Sequence, residues 1–250
     1  MIPKVIHYCW FGRGKQPYLI RHCIKSWKKV MPEYELKCWN EDNFDVNKIP
    51  FVRDAYKARK WAFVADYVRF YALYHEGGIY LDTDIETLKP FDQFLDKPFF
   101  AGTEVRGVNN KYISVDVSTF GCIKGHWYAK QCMEWYHDKP FLDKSTGKVS
   151  GDVVQVVATN ILLPIGYRKE NKDQQIKDVY IYSNQYFANK ENNPNRQEVY
   201  SIHYFDGSWV DGKHGYFYSF ARKHDLMHIY RKIEVLTSFI RRILAFREKK

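Results

Sequence analysis

Two aspartates, Asp82 and Asp84, follow a short apolar run, Ile79 to Leu81, that is typical of a buried strand. Side chains two apart on an extended chain project to the same side, so these carboxylates can converge on one point. Crowded carboxylates repel, and burial raises the pKa of one of them unless a cation compensates. A divalent cation supplies that compensation and also grips a diphosphate. The motif alone fits equally a polar turn in which Asp82 bonds its own backbone.

The segment before this motif predicts how the two aspartates are positioned. Apolar residues recur at helical spacing from about Asp54 to Glu76, and Gly77-Gly78 ends this helix because glycine accepts the left-handed conformation. The apolar strand then runs into Asp82. Ligands of open α/β sheets bind at the carboxyl ends of strands, so a site is expected at this point of the chain.

Asp66 and Arg69 lie three residues apart on the predicted helix. On an exposed face, such an ion pair is worth only about 0.2–0.5 kcal/mol. Alternatively the pair faces a cleft. There Asp66 accepts hydrogen bonds from sugar or ribose hydroxyls, and Arg69 donates hydrogen bonds to oxygens of the donor substrate. The sequence leaves both alternatives open.

Other elements predict an α/β fold. A strand at Val5–Phe11, a helix at Arg21–Val30 and a strand at Tyr34–Trp39 have the spacing of a parallel βαβ unit. Further strands are predicted at 99–102 and 179–182, and further helices at 128–137 and 152–163, whereas residues 168–198 are polar and predict mainly exposed connections.

The composition is that of a globular protein. The 250 residues are 45% hydrophobic and 18% aromatic, enough for one large α/β domain or two small ones. The five cysteines contain no CxxC pair, which disfavours a disulfide framework or a structural zinc site and favours a reducing compartment. The sequence shows no signal peptide and no run of about 18 apolar residues, so we expect a cytoplasmic protein.

The net charge of +10 is concentrated near the C-terminus. Residues 222–250 carry nine Lys or Arg against three Asp or Glu, and apolar residues from Leu226 to Ile243 fall on one helical stripe. This pattern predicts a basic amphipathic helix over 222–250. It either packs on the preceding domain or lies peripherally on the anionic inner face of the cell membrane.

Two blocks together resemble glycosyltransferase family 32. The first reads IPKVIHYCWFG from Ile2 to Gly12, and the second reads FVADYVRFYALYHEGGIYLDTDIE from Phe63 to Glu86. They look most like the bacterial capsular-polysaccharide-synthesis branch, whose signature is a DXD motif, and more distantly like the glucosylating domain of large clostridial toxins. The resemblance covers residues 1–105 and recurs over 201–209, SIHYFDGSW.

The resemblance implies a GT-A fold over residues 1–221, a Rossmann-like mixed sheet flanked by helices, and a metal-dependent hexosyltransferase that retains anomeric configuration. It implies catalytic roles for Asp82, Asp84 and Asp152, and metal ligation by Asp82, Asp84 and His203. The implied donor-binding residues are Trp10, which stacks near the base, together with Asp66, Arg69, Tyr80, Asp82, Ser208 and Trp209. Asp152 follows Ser150-Gly151 where the family often shows Thr-Gly-Pro, which departs from its pattern.

The implied cofactor is Mn²⁺, with Mg²⁺ as the alternative. An imidazole beside carboxylates favours manganese, because magnesium prefers oxygen ligands only. In a retaining route the leaving phosphate takes the acceptor proton and no dedicated base is needed. Glu104 or Asp116 is a candidate base if the enzyme inverts instead.

The expected partners are a UDP- or GDP-sugar donor and a glycan or lipid-linked oligosaccharide acceptor in surface polysaccharide synthesis, such as capsule, O-antigen or exopolysaccharide. One alternative is a non-catalytic basic module that binds nucleic acid or membrane. Its basic residues concentrate at one end instead of alternating with aromatic residues, so no nucleic acid is expected. Another is a metal-dependent phosphotransferase or nuclease, but Gly12-Arg13-Gly14-Lys15 lacks P-loop spacing.

Overall fold

The structure, a computed structural model, describes residues 1–106, 112–143, 145, 149, 153–189 and 198–205. Four of the predicted features therefore lie outside the described residues: Asp152, Ser208, Trp209 and the amphipathic helix over 222–250. The predicted domain boundary after residue 221 lies outside them as well.

Five α-helices and ten strands are found in this part of the chain. The helices are α1 (Tyr18–Val30), α2 (Pro50–Lys57), α3 (Trp61–Glu76), α4 (Trp127–Glu134) and α5 (Val154–Leu162). The strands are β1 (Val5–Cys9), β2 (Glu35–Trp39), β3 (Gly78–Leu81), β4 (Ile85–Thr87), β5 (Phe99–Arg106), β6 (Tyr112–Cys122), β7 (Gln174–Ile176), β8 (Val179–Tyr182), β9 (Phe187–Asn189) and β10 (Ser201–His203).

Seven strands form one mixed sheet in the order β2-β1-β3-β6-β5-β8-β7. Strands β2, β1 and β3 are parallel, as the predicted βαβ unit requires, whereas β6 runs antiparallel to both of its neighbours. A second, small sheet has the order β4-β10-β9. The predicted α/β class, a mixed sheet flanked by helices, is confirmed.

Each face of the large sheet carries its own apolar core. Residues of α2, α3, α4 and α5 pack on one face, where they surround buried side chains such as Tyr80 and Phe120. Helix α1 and the small sheet cover the other face through Trp27, Ile85 and Phe187. The carboxyl ends of β1 and β3 meet at one sheet edge, and this edge carries the residues that follow them.

The predicted helix over 54–76 is two helices, α2 and α3, so the prediction of one continuous helix was wrong. Arg59 adopts a left-handed φ of 57° between them. The amides of Arg59 and Lys60 donate to the carbonyls of Tyr56 and Ala55, at 2.9 and 3.0 Å. These two bonds form a Schellman motif, which ends α2 without a glycine.

Among the helices that the structure describes, none combines the length and the apolar character that crossing a bilayer requires.

Candidate active site

Asp82 directly follows β3, in the tight connection to β4. Its amide donates to the carbonyl of Ser118 on β6 at 2.8 Å, and its own carbonyl accepts from the amide of Ile85 at 3.0 Å. The backbone of the aspartate motif is therefore fixed at both ends by neighbouring strands. The expectation of a site at the carboxyl end of this strand agrees with its position.

The turn before β3 is set by Gly77, Gly78 and His7. Both glycines have left-handed φ values, 73° and 112°, and a Cβ on Gly78 would lie 2.7 Å from the carbonyl oxygen of Val5. Only glycine fits this close approach of two strands. The predicted glycine break is thus confirmed, with steric crowding as an additional reason.

His7 joins this turn to the neighbouring strand. Its Nδ1 accepts from the indole N–H of Trp39 at 3.0 Å, so the proton lies on Nε2, which donates to the carbonyl of Gly77 at 2.8 Å. The imidazole is fully buried, and burial lowers its pKa. A neutral His7 therefore fixes the start of the strand that leads to Asp82.

Arg69 is the only cation in the described residues that contacts both Asp66 and Asp82. Its guanidinium lies 2.8 Å from Asp66 Oδ1 and 3.4 Å from Asp82 Oδ1, and it donates to the carbonyl of Val117 at 2.8 Å. The guanidinium also lies 4.8 Å from the centre of the Tyr80 ring, whose hydroxyl donates to Asp82 Oδ1 at 3.0 Å. Asp66 is 9% exposed and Arg69 is 4% exposed. The alternative of an exposed helical ion pair is therefore wrong.

One guanidinium is thus the positive counter-charge of two buried carboxylates. Burial raises the pKa of Asp66 to about 6, against the opposing effect of Arg69. Burial also raises the pKa of Asp82, again against Arg69. This excess of negative charge means that the group attracts hydrogen-bond donors or a further cation.

A bulge in β6 supplies backbone acceptors to this cluster. The pairing of β5 with β6 shifts between Ala101, opposite Phe120, and Gly102, opposite Asp116. The residues left over on β6 include Val117 and Ser118, whose carbonyls accept from Arg69 and from the amide of Asp82. Bulges commonly redirect groups next to active sites, and this one was not predicted.

His203 is brought to Asp84 by the pairing of β10 with β4. In this antiparallel pair His203 lies opposite Ile85, and its Nε2 lies 3.3 Å from Asp84 Oδ1. Burial alone would lower the pKa of His203, but Asp84 and further carboxylates outweigh it and raise the pKa to about 9. The predicted proximity of Asp84 and His203 agrees with this arrangement.

Two more acids, Glu104 and Asp116, lie on neighbouring positions of β5 and β6. Asp116 accepts from the amide of Ser118 at 2.8 Å, and Glu104 forms an ion pair with Arg106. Burial and the Asp116 carboxylate raise the pKa of Glu104 to about 7. Both acids also act electrostatically on His203, so the charge around the imidazole is predominantly negative.

This donor set fits a divalent cation in its chemistry, because an imidazole and a carboxylate converge where negative charge is in excess. The carboxylate of Asp82, the predicted third ligand, contacts Arg69 and accepts a hydrogen bond from Tyr80. Across the described ranges, no three His, Cys, Asp or Glu side chains are grouped closely enough to hold a metal. Asp84 and His203 therefore remain the predicted protein ligands, and the coordination of Asp82 remains a prediction.

Trp10 follows β1 at the same sheet edge. Its indole N–H donates to the carbonyl of Gly14 at 2.7 Å, and its amide donates to the carbonyl of Trp39 at 2.9 Å. The ring is partly exposed, so stacking on a nucleotide base remains a prediction.

Residues 17–101 match the model of the glycosyltransferase sugar-binding region containing the DXD motif. The matched region includes Asp66, Arg69, Asp82 and Asp84, and His203 lies beyond it. This match supports the predicted enzyme class, a glycosyltransferase.

Curated relatives agree with this class. Inositol phosphoceramide mannosyltransferase 3 of Schizosaccharomyces pombe is 30% identical over 135 residues, which cover 52% of this chain and 36% of the relative. Mannosyl phosphorylinositol ceramide synthase CSH1 of Saccharomyces cerevisiae is 29% identical over 122 residues, which cover 44% of this chain and 30% of the relative. The chain thus spans about a third of the length of these relatives.

Solved structures with a similar arrangement include the PaToxG glycosyltransferase, with a TM-score of 0.47 and 17% identity over 65% of this chain and 68% of that one. The galactosyltransferase LgtC has a TM-score of 0.43 and 13% identity over 80% and 87% of the two chains.

Proposed function

We propose that this protein transfers a sugar from a nucleotide-sugar donor to an acceptor hydroxyl, with a divalent cation, Mn²⁺ or Mg²⁺, bound at Asp84 and His203. The observation that carries the proposal is the convergence of these two side chains at the end of β3, beside the buried cluster of Asp66, Arg69 and Asp82. The proposal is supported by the chemistry of these neighbours, an imidazole and a carboxylate beside groups that can hydrogen-bond to a ribose and a sugar.

The roles follow from position. Arg69 holds Asp82 and Asp66 in place, which leaves their remaining acceptor positions for donor hydroxyls. Trp10, at the same sheet edge, stacks on the base. Tyr80 orients Asp82 through its hydroxyl. From the resemblance, Ser208 and Trp209 contact the diphosphate and Asp152 contacts the donor sugar.

A bound divalent cation neutralises charge that builds on the departing diphosphate. In the retaining route, the acceptor oxygen forms a bond to the anomeric carbon on the face from which the phosphate leaves. The anomeric carbon–phosphate oxygen bond breaks, and the acceptor proton passes to the departing phosphate. His203 has to give up its own proton before its nitrogen can ligate a cation. NMR of the product decides the stereochemistry, and a β-linked product from an α-linked donor would contradict retention.

The names of the relatives narrow the substrates to be tried first. One is named an inositol phosphoceramide mannosyltransferase and another a mannosyl phosphorylinositol ceramide synthase, which supports a mannosyl donor such as GDP-mannose and a lipid-borne acceptor. The resemblance to the capsular branch supports a glycan or lipid-linked oligosaccharide in surface polysaccharide synthesis. We place the reaction on the cytoplasmic side, with the segment over 222–250 at the membrane surface.

The test is a screen of UDP- and GDP-sugars for release of nucleoside diphosphate, in Mn²⁺, in Mg²⁺ and in EDTA. We expect release with one donor class, its loss in EDTA, and its loss in Asp84→Asn. Asp96→Asn, an exposed acid that pairs with Lys97, is the matched control and should retain activity. Full release by Asp84→Asn in EDTA would remove the cation from the mechanism, and absence of release with every donor would refute the transfer itself.

A further inference from the structure

An exposed group of aromatic and acidic side chains lies next to the aspartate motif and has no role in the donor site described above. We call it the rim patch, and it consists of Tyr18, His22, Glu86 and Tyr204. Tyr18 is 45% exposed at the start of α1 and stacks on His22 one turn later, with ring centres 6.2 Å apart and planes 16° apart. An aromatic surface is thus open to solvent at the rim of the site.

Glu86 links these rings to the small sheet. His22 Nε2 lies 3.4 Å from one carboxylate oxygen of Glu86, and the hydroxyl of Tyr204 donates to the other at 2.6 Å. The side chains of His22 and Glu86 are 44% and 21% exposed. Each carboxylate oxygen has more than one acceptor position, so Glu86 can accept further hydrogen bonds from a ligand.

The rim patch is held at a fixed distance from the proposed metal ligands. Glu86 lies two residues after Asp84 in the chain, so their Cα atoms are at most about 7 Å apart. Tyr204 directly follows the end of β10 at His203, and its amide donates to the carbonyl of Asp84 at 3.1 Å. The backbone of the patch is thus joined directly to that of Asp84 and His203, so a ring bound on the patch would lie close to a donor at Asp84.

Helix α1 is anchored rigidly to β4, which keeps Tyr18 and His22 in register with Glu86. The indole N–H of Trp27 donates to the carbonyl of Ile85 at 2.7 Å. The hydroxyl of Ser26 accepts from the amide of Thr87 at 2.9 Å. The patch is therefore built on a helix and a strand, elements that position a ligand better than a loop does.

We propose that the rim patch is the acceptor subsite and that it binds a sugar ring of a glycoside. The C–H face of the ring stacks on Tyr18, and the ring hydroxyls donate to Glu86 and contact His22. Aromatic rings supply contact area, and a few placed polar groups fix orientation, as in other small-molecule sites. This inference rests on the proposed glycosyl transfer and adds to it the place where the acceptor binds.

The test uses the full chain, a donor that it hydrolyses, and a panel of octyl hexosides as surrogate acceptors. Two rates are followed: release of nucleoside diphosphate without acceptor, which reports transfer to water, and formation of the octyl disaccharide. For Tyr18→Ala we expect the half-saturating octyl hexoside concentration to rise about tenfold, which corresponds to about 1.4 kcal/mol of lost ring contact. For Glu86→Gln we expect the ratio of disaccharide to hydrolysis to fall by a similar factor.

Matched controls come from other parts of the fold. Tyr180→Ala removes a partly exposed tyrosine of β8, and Glu134→Gln neutralises an exposed glutamate of α4 that pairs with Lys130. Neither control should change the ratio of disaccharide to hydrolysis. A melting temperature for each variant verifies that the fold is retained.

The proposal is overturned if Tyr18→Ala and Glu86→Gln give the same acceptor dependence as the two controls. It is also overturned if both rates fall together, because the residues then act on the donor. If donor hydrolysis is intact but no octyl hexoside is glycosylated, saturation-transfer NMR decides: absent binding, or binding that Tyr18→Ala leaves unchanged, refutes the subsite. If the wild-type protein hydrolyses no donor, the proposed function is refuted instead. The NMR comparison of wild type and Tyr18→Ala would still test whether the rim patch binds octyl hexosides.

Discussion

Neutralising Glu104 should stabilise the metal-free protein at pH 8 and leave its stability nearly unchanged at pH 5. Glu104 is 7% exposed, and its pKa is raised from 4.5 to about 7 by burial and by the Asp116 carboxylate. The folded state therefore binds this proton more tightly than the unfolded state does. The contribution of Glu104 to the free energy of unfolding is largest below pH 4.5. It falls as pH rises towards 7, where Glu104 ionises in the folded protein.

The magnitude follows from the size of the pKa difference. A rise of about 2.5 pH units corresponds to about 3 kcal/mol, at about 1.36 kcal/mol per unit. Glu104→Gln removes this cost above pH 7, and the opposing effect of the half-exposed Arg106 is already contained in the raised pKa. The net gain at pH 8 is therefore about 3 kcal/mol, or about 6–12 °C in Tm for a domain of this size.

The assay is thermal unfolding of wild type and Glu104→Gln in EDTA at pH 5, 6, 7 and 8. EDTA is needed because a bound cation would itself stabilise the ionised carboxylates. Glu134→Gln, at the exposed ion pair on α4, serves as the control and should shift Tm little at any pH. A Glu104→Gln gain that does not grow with pH, or a loss at pH 8, would refute the account of the acidic cluster.

Three further outcomes test other parts of the site. Arg69→Met leaves two buried carboxylates without their cation, so urea unfolding is expected to show a free energy of unfolding that is lower by about 3–5 kcal/mol. A urea midpoint equal to that of the wild type would contradict this. His7→Phe leaves a buried donor and a buried acceptor unpaired, at a cost of about 2–6 kcal/mol, and a smaller loss would contradict the assigned hydrogen bonds. Burial lowers the pKa of His203, but Asp84 and further carboxylates together outweigh it and raise the pKa to about 9, so Mn²⁺ affinity measured by EPR should rise up to about tenfold per pH unit from 6.5 to 9; a flat profile would remove His203 as a ligand.

Local signals made the aspartate motif predictable. The apolar periodicity of α3, the Gly77-Gly78 turn and the short strand after it are encoded in consecutive residues, and the structure has them in that order. The break at Arg59 was missed because a left-handed arginine has no compositional signature. Burial of Asp66 and Arg69 could not be decided from the sequence either, since it depends on what β6 places over them.

Strand β6 itself was not predicted. Its apolar pattern is interrupted by three polar residues, Asp116, Ser118 and Thr119. They lie in the part of the strand that forms the bulge next to the site. The alternation of Asp116 and Ser118 with apolar residues was the sequence signal for a strand. The same residues are equally typical of a loop. The position of His203 beside Asp84 could be expected only from family resemblance, because strand pairing between distant segments leaves no local trace.

The pairing of β10 with β4 also has a consequence for biosynthesis. Ile202 lies opposite Glu86, so the two halves of the site are separated by more than a hundred residues of chain. At about 5–20 residues per second, the ribosome needs roughly 10 s to make the second half after the first has emerged. During that interval the nascent chain carries the aspartates without the histidine. A growing polypeptide therefore gains its complete site only after all seven strands of its large sheet have been synthesised.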